Sequence, residues 1–229
     1  MRRISYSQAL NEAMLQEMDR DPKVFVYGIG VPDHKRVFGT TSGLVEKFGR
    51  ERCFDTPLAE DAMTGFGLGA AICGMRPVHI HIRTDFLLLA MNQLVNMVAS
   101  YTYGTNGRAK VPFVVRAVVG RGWGQGFQHS KALHSFFAHI PGIKVVLPTT
   151  PRDAKGLLTA AIRDDNPVVC IEHRWLYWAE DEVPEKPYVI PIGESQILRS
   201  GSDVTIVATS DRNRWIEAGS SLGATVIVR

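Results

Sequence analysis

Two adjacent acids, Glu60 and Asp61, are the first residues whose type and setting suggest chemistry. From Phe54 to Gly74 the chain reads Phe-Asp-Thr-Pro-Leu-Ala-Glu-Asp-Ala-Met-Thr-Gly-Phe-Gly-Leu-Gly-Ala-Ala-Ile-Cys-Gly, and apart from Asp55 the two acids carry all its charge. The pattern predicts a short strand, a proline turn and a helix. Gly65 and Gly69, like Ala70 and Gly74, stand four apart and put small residues on a helix surface, so the helix is expected to be buried on most sides. A carboxylate at its start is pulled two ways. The helix N-terminus favours the ionised form, whereas apolar walls such as Leu58, Met63 and Phe66 favour the neutral one. An acid that handles protons needs its pKa set by such a contest. A plainer reading stays open on these residues alone: Glu60 and Asp61 only complement the helix dipole.

The elements that must hold these acids follow from periodicity. Ser5-Tyr-Ser-Gln8 can form a capping box, and Ala9, Leu10, Ala13, Met14 and Met18 recur at helical spacing, which predicts an amphipathic helix over 5–19. Strands are expected at Val24 to Tyr27, at Cys53, at Pro77 to Ile82, at Lys144 to Leu147 and at Val168 to Ile171. A short helix from Thr41 closes at Gly49, and a long helix runs from Phe86 to Tyr101. Phe113 to Val119 is apolar except for Arg116, as in a central strand covered on both faces. Thr150-Pro-Arg-Asp153 is a strong helix start. Alternation of this kind predicts an α/β fold, a mostly parallel sheet with helices on both faces, which binds ligands at the carboxyl ends of its strands.

The glycines from 120 to 126 alternate singly and do not match a dinucleotide fingerprint, so they are read as allowing close backbone approach. Residues 179 to 201, with Pro184, Pro187 and Pro191 among acids and lysines, read as a linker after a domain spanning 1–178. Strands at Asp203 to Ala208 and Ala224 to Val228, with a helix at Asn213 to Leu222 between them, read as the start of a second α/β domain over 202–229. An apolar strand there would leave an open edge, and the natural polypeptide is expected to be longer.

At 229 residues and 45% hydrophobic content the chain can bury a sizeable core. Lys plus Arg exceed Asp plus Glu by 26 − 23 = 3, and the basic residues are scattered, which argues against nucleic-acid or membrane binding. Cys53, Cys73 and Cys170 lie in apolar segments without CxxC spacing, as expected of buried thiols in the reducing cytoplasm.

The motifs, in their order, resemble the β subunit of the thiamine-diphosphate-dependent 2-oxoacid dehydrogenase component of the pyruvate, branched-chain and acetoin types. The segments that carry the resemblance are Phe54-Asp-Thr-Pro-Leu-Ala-Glu60, Asp85-Phe86 with Asn92-Gln-Leu-Val-Asn96, Gln128-His-Ser130, Phe137-Ala-His-Ile-Pro-Gly-Ile-Lys-Val-Val-Leu-Pro148 and Pro151-Arg-Asp-Ala-Lys-Gly-Leu-Leu158. It implies the thiamine-diphosphate-binding fold of the pyrimidine-domain type. It also implies that Glu60 hydrogen-bonds a ring nitrogen of the cofactor's aminopyrimidine, that Leu58 and Phe86 lie against that ring, and that His129 faces the reacting end. Without the resemblance Phe86 reads equally as a core residue, and a loop histidine as solvated. Asp164 and Asn166 would match a potassium site in the family, although Asp-Asn-Pro is also an ordinary turn.

The family's diphosphate end needs a divalent metal with oxygen ligands, held on a Gly-Asp-Gly turn that this sequence lacks. The resemblance therefore implies Mg2+ held by a separate α subunit, in an α2β2 heterotetramer, with a small 2-oxoacid as substrate and a lipoyl-bearing acyltransferase as acceptor. Two departures matter. Gly28 is followed by Ile29 and Gly30 where the family commonly has acids, and most of the family's carboxyl-terminal domain has no counterpart here, so docking to an acyltransferase core does not follow. Two alternatives remain: the pyrimidine-binding half of a split transketolase-like enzyme, and a non-catalytic assembly subunit of the same fold.

Overall fold

The computed structural model describes residues 1–120, 125–209 and 224–228. In chain order the elements are β1 (Arg2–Ser5), α1 (Tyr6–Arg20), β2 (Val24–Gly28), α2 (Leu44–Phe48), β3 (Cys53–Phe54), α3 (Glu60–Ile72), β4 (Arg76–His81), α4 (Thr84–Leu87), α5 (Ala99–Gly104), β5 (Val114–Val119), α6 (His134–Ala138), β6 (Lys144–Val146), α7 (Pro151–Arg163), β7 (Val168–His173), β8 (Glu180–Val183), β9 (Gln196–Arg199), β10 (Val204–Ala208) and β11 (Ala224–Val228). Six strands form one parallel sheet in the order β3-β2-β4-β5-β7-β6. The expected parallel α/β architecture is observed.

The sheet has two cores because its strands are buried on both faces. Val24, Val26, Val78, Val114, Val118 and Cys170 meet Leu10, Met14 and Met18 of α1 and Leu157, Leu158 and Ile162 of α7 on one face. On the other, Val115, Ala117, Val169 and Ile171 meet Leu68 and Ala71 of α3, Leu87 of α4, and Leu94 and Val98 of the helical stretch that follows α4. The capping box of α1 forms as expected, with Ser5 Oγ accepting from the Gln8 amide at 3.2 Å and Gln8 Oε1 from the Ser5 amide at 2.8 Å. Helices α1 and α7 are joined by Glu17, fully buried, which accepts from Arg163 at 2.7 and 2.9 Å and from Arg20 at 2.7 Å.

Several local expectations are corrected. The single helix expected from Phe86 to Tyr101 begins at Thr84, tightens to a 3-10 turn at Leu88–Ala90, widens to a π turn over Asn92–Val98 and returns to α at α5. Apolar spacing reports that a helix is present and not how tightly it winds. Helix α3 buries only one face, on Thr64, Gly67, Leu68 and Ala71, and leaves Asp61, Ala62, Phe66 and Ile72 exposed. Cys73, expected to be buried, is exposed at the end of α3, whereas Cys53 and Cys170 are buried free thiols. The segment read as a linker begins with β8, which pairs antiparallel with the unexpected β1. It also contains β9, which joins β10 and β11 in a separate three-stranded sheet, β10 and β11 running parallel. The helix expected at 213–222 lies outside the described residues. Among the described residues no helix is long and apolar enough to cross a membrane.

One internal stack connects the sheet to α3. His79 lies flat on Tyr27 with ring centroids 4.3 Å apart, and His81 Nε2 is 3.1 Å from His79 Nδ1. The Tyr27 hydroxyl donates to the Met63 carbonyl in the first turn of α3 at 2.9 Å. Only glycine permits this at position 67, since a Cβ there would come within 2.2 Å of the Tyr27 oxygen and 2.6 Å of the Phe113 ring.

Burial holds both histidines neutral, the charge of His81 adding to the effect at His79, and burial brings the His81 pKa down to about 4. Below the ordinary histidine pKa of about 6.5 the unfolded chain binds protons that the folded chain refuses. Stability from this pair is therefore complete above that pH and is lost as the pH falls toward about 4. Denaturation midpoints measured from pH 7 to 4 are expected to fall less steeply in His81→Gln than in the wild type; an unchanged slope would show that the pair is not held neutral.

Candidate functional site

The groups that could do chemistry gather at the carboxyl ends of the parallel strands. Glu60 follows β3, Arg83 and Phe86 follow β4, His129 follows β5 and Arg174 follows β7. The first loop is tied to this edge by Asp55, whose Oδ1 accepts from the Gly30 amide at 3.0 Å and the Thr56 amide at 2.9 Å.

Glu60 is the first residue of α3, whose N-terminus has no side-chain cap. Its carboxylate is half-buried and makes no hydrogen bond or ion pair among the described residues. Asp61 beside it is exposed and accepts from Gln93 Nε2 at 3.3 Å. The two acids are thus set apart, Asp61 bridging to the next helical segment while Glu60 has no partner among the described residues. Leu58 is 81% exposed and Phe66 47%, so the apolar walls expected around Glu60 are not closed by this chain.

Phe86 and His129 are brought into direct contact, their ring centroids 5.0 Å apart at 77°. The loop carrying His129 is fixed by the first turn of α4. Thr84 Oγ1 donates to the Lys131 carbonyl at 2.9 Å, and Asp85 Oδ1 accepts from the Lys131 amide and Nζ, both at 3.3 Å. Among the described residues, His129 Nδ1 and Asp85 Oδ2 are buried with no hydrogen-bond partner, and buried polar atoms are rarely left so. Thr84, Lys131 and Arg83 were not singled out by sequence, since each acts through contacts across loops that no spacing records. The glycine-rich loop does bring backbones together as expected: a Cβ on Gly120 would lie 2.2 Å from the His129 carbonyl oxygen.

Asp164 and Asn166, the potassium candidates, are engaged within the protein. Asp164 Oδ2 accepts from Lys144 Nζ at 2.5 Å and Oδ1 from the Asn166 amide and Nδ2 at 2.9 and 3.0 Å. Arg76 Nη1 donates to the carbonyls of Ile162 and Asp164 at 3.1 and 3.0 Å. Both Asp164 carboxylate oxygens thus have donors within the protein, and its carbonyl accepts from Arg76. No group of His, Cys, Asp or Glu able to hold a metal occurs among the described residues.

Residues 2–178 match the family model "Transketolase, pyrimidine binding domain". Among curated relatives, the chain is 46% identical to the acetoin:2,6-dichlorophenolindophenol oxidoreductase subunit beta of Cupriavidus necator, over 96% of this chain and 68% of that protein. It is 46% identical to the 2-oxoisovalerate dehydrogenase subunit beta of Bacillus subtilis, over 89% of this chain and 63% of the relative. Identity to a chloroplastic pyruvate dehydrogenase E1 component subunit beta-4 of Oryza sativa is 43%, over 89% of this chain and 51% of the relative. The chain thus spans about half to two thirds of these proteins. Among solved structures, a split-gene transketolase in an inactive β tetramer superimposes with a TM-score of 0.75 at 20% identity, covering 98% of this chain and 71% of that one. That likeness concerns the fold. The chain belongs to the transketolase pyrimidine-binding domain family and, within it, to the β subunits of 2-oxoacid and acetoin dehydrogenases.

Proposed function

We propose that this chain supplies the aminopyrimidine half of a thiamine diphosphate site in a heteromeric 2-oxoacid dehydrogenase, which decarboxylates a small 2-oxoacid oxidatively and passes the acyl group to a lipoyl acceptor. The observation that carries the reading is the Phe86–His129 pair, at the same sheet edge as the Glu60 carboxylate; neither His129 Nδ1 nor that carboxylate has a partner among the described residues. These groups fit an aminopyrimidine: an acid for a ring nitrogen, apolar side chains for a ring face, and a histidine for the reacting end. Bound there, the cofactor supplies a carbon nucleophile and an electron sink.

The chain's own residues then have separable tasks. Glu60 holds a proton against the ring nitrogen and controls its transfer. Leu58 and Phe86 exclude water from the ring. His129, fixed by Thr84, Asp85 and Lys131, holds or delivers a proton at the substrate.

The diphosphate and its Mg2+ fall to a partner, because the sequence contains no Gly-Asp-Gly turn. An α subunit in a heterotetramer of two α and two β chains is the partner assigned here. It is supported by the beta-subunit names of the relatives and by Phe66, Leu89 and Met97, exposed at 47%, 61% and 43% on α3 and the segment beyond α4. Residues 1–178 are taken as the pyrimidine-binding domain, in line with the family match, and buried free thiols favour a reducing compartment such as the cytoplasm.

Titration calorimetry tests the split site. The purified chain is expected to bind neither Mg2+ nor thiamine diphosphate appreciably, and the chain reconstituted with its α subunit to bind both. Tight, magnesium-dependent binding by the chain alone would overturn the reading.

A further inference from the structure

Two guanidinium groups share one aromatic ring at the sheet edge that carries the candidate site. Arg174 lies over Phe38 at 4.3 Å and Arg83 over the same ring at 5.8 Å. Arg83 is only 6% exposed, and it makes no ion pair among the described residues. Its fork is aimed by neutral groups: Nε donates to Gln125 Oε1 at 3.0 Å, Nη2 donates to the same oxygen, and Nη1 donates to the Ile82 carbonyl at 2.7 Å. The nearby acid, Asp85, is bound to Lys131 instead. Burial, and then the charge of Arg174, lower the Arg83 pKa, as two cations facing one another must.

The loop presenting Phe38 is itself strained. Arg36, Val37 and Phe38 have φ of 49°, 46° and 60°, three consecutive non-glycine residues in the left-handed region. Such conformations persist where the surroundings impose them, and they cluster at ligand clamps. Arg83 follows β4 and Arg174 follows β7, and a Cβ on Gly120 would lie 3.2 Å from Arg83 Cδ and 2.2 Å from the His129 carbonyl, so the stem of Arg83 runs beside the backbone of His129.

We infer that Arg83, Arg174 and Phe38 form an anion subsite that selects a 2-oxoacid with a second carboxylate at its far end. The inference rests on the 2-oxoacid reading above. The reacting carboxylate is the poorer occupant, because it loses its charge on leaving as carbon dioxide, and two guanidiniums would stabilise the ground state more than the transition state. A distal carboxylate keeps its charge throughout. Binding it equally in both states lowers KM with little effect on kcat.

The assembled enzyme should be assayed with 2-oxoglutarate and with 2-oxovalerate, which has the same chain length and an uncharged tail. Wild type is expected to favour 2-oxoglutarate. Arg83→Met and Arg174→Met should each raise its KM roughly 10- to 100-fold, with kcat within about threefold and 2-oxovalerate unaffected. Arg83→Lys, which keeps the charge, should recover part of the loss. Arg174 is half-buried, so its variant carries the test if Arg83→Met does not fold.

Calorimetry with glutarate on the full chain is independent of turnover, and binding should weaken in both Met variants. If no 2-oxoacid is turned over yet glutarate binds through the two arginines, the dehydrogenase reading fails and the anion subsite stands. A wild-type preference for 2-oxovalerate, or glutarate binding unchanged in both Met variants, would overturn the subsite.

Discussion

Glu60→Gln is expected to leave the chain folded and assembled while slowing proton exchange at the cofactor's reactive carbon by at least 100-fold, the lower end of what a positioned acid or base contributes. The amide nearly matches the carboxylate in volume and can still hydrogen-bond, but it cannot share a proton with a ring nitrogen. Nothing structural is lost, because the Glu60 carboxylate has no hydrogen bond or ion pair among the described residues. Asp61→Asn is the internal control. Asp61 is exposed and bridges only to Gln93, so exchange should stay within about twofold of wild type. His129→Ala separates the steps from the other side, since exchange should persist while turnover of the oxoacid fails. The measurement is deuterium exchange into the cofactor in the reconstituted complex, with the thermal midpoint recorded alongside. Exchange at the wild-type rate in Glu60→Gln would remove the acid from the mechanism and return it to the dipole role that the sequence also allowed.

The sheet was legible because each of its buried strands announces itself as an apolar run between turn residues, as Val114–Val119 does around Arg116. Helix α7 was legible because Thr150, Pro151 and Asp153 make a local start signal, and Thr150 Oγ1 does accept from the Asp153 amide at 3.0 Å. Strand β1 was not, because Arg2–Ser5 becomes a strand only by pairing with β8 some 180 residues away, and no local pattern records a distant partner. The π turn at Asn92–Val98 is equally silent in periodicity.

At the candidate site, Glu60, Phe86 and His129 could be proposed because motifs carried them. What fixes them could not: the Tyr27 bond to Met63 and the Thr84 and Asp85 bonds to Lys131 all cross between elements. The reading of α3 as buried on most sides also came from its small residues, which prepare a surface for close packing without stating whether the packing partner lies in the same chain.

Arg116, the one charged residue in the central apolar run, is the residue whose loss should destabilise the fold most. It is fully buried, and so is Glu172 on the neighbouring strand. Since Arg116 is opposite Cys170 in the register, Glu172 stands two residues further along β7 on the same face. Arg116 Nε donates to Glu172 Oε1 and Nη2 to Oε2 at 2.8 Å, while the Tyr177 hydroxyl donates to Oε2 at 2.8 Å. Burial by itself would lower the Arg116 pKa, but the Glu172 carboxylate outweighs it and the guanidinium is held above its ordinary value. The guanidinium therefore stays charged in the folded protein.

Arg116→Met strands the carboxylate without its cation, an error that typically costs about 3–5 kcal/mol and roughly 10 °C in thermal midpoint for a chain of this size. Tyr177→Phe removes only one donor to the carboxylate and should cost about 1.5–3 kcal/mol. Replacing both charges, Arg116→Met with Glu172→Leu, should recover most of the loss, because a buried ion pair and an apolar pair of similar volume are often close in stability. Thermal and denaturant midpoints of the three variants, taken on the full chain, decide the matter. Equal losses in Arg116→Met and in the double variant would mean that the two side chains act through packing, as Arg116 does against Met14, and not through their charges. A single variant as stable as wild type would mean that water reaches Glu172 and that the strands β5 and β7 are not held together there.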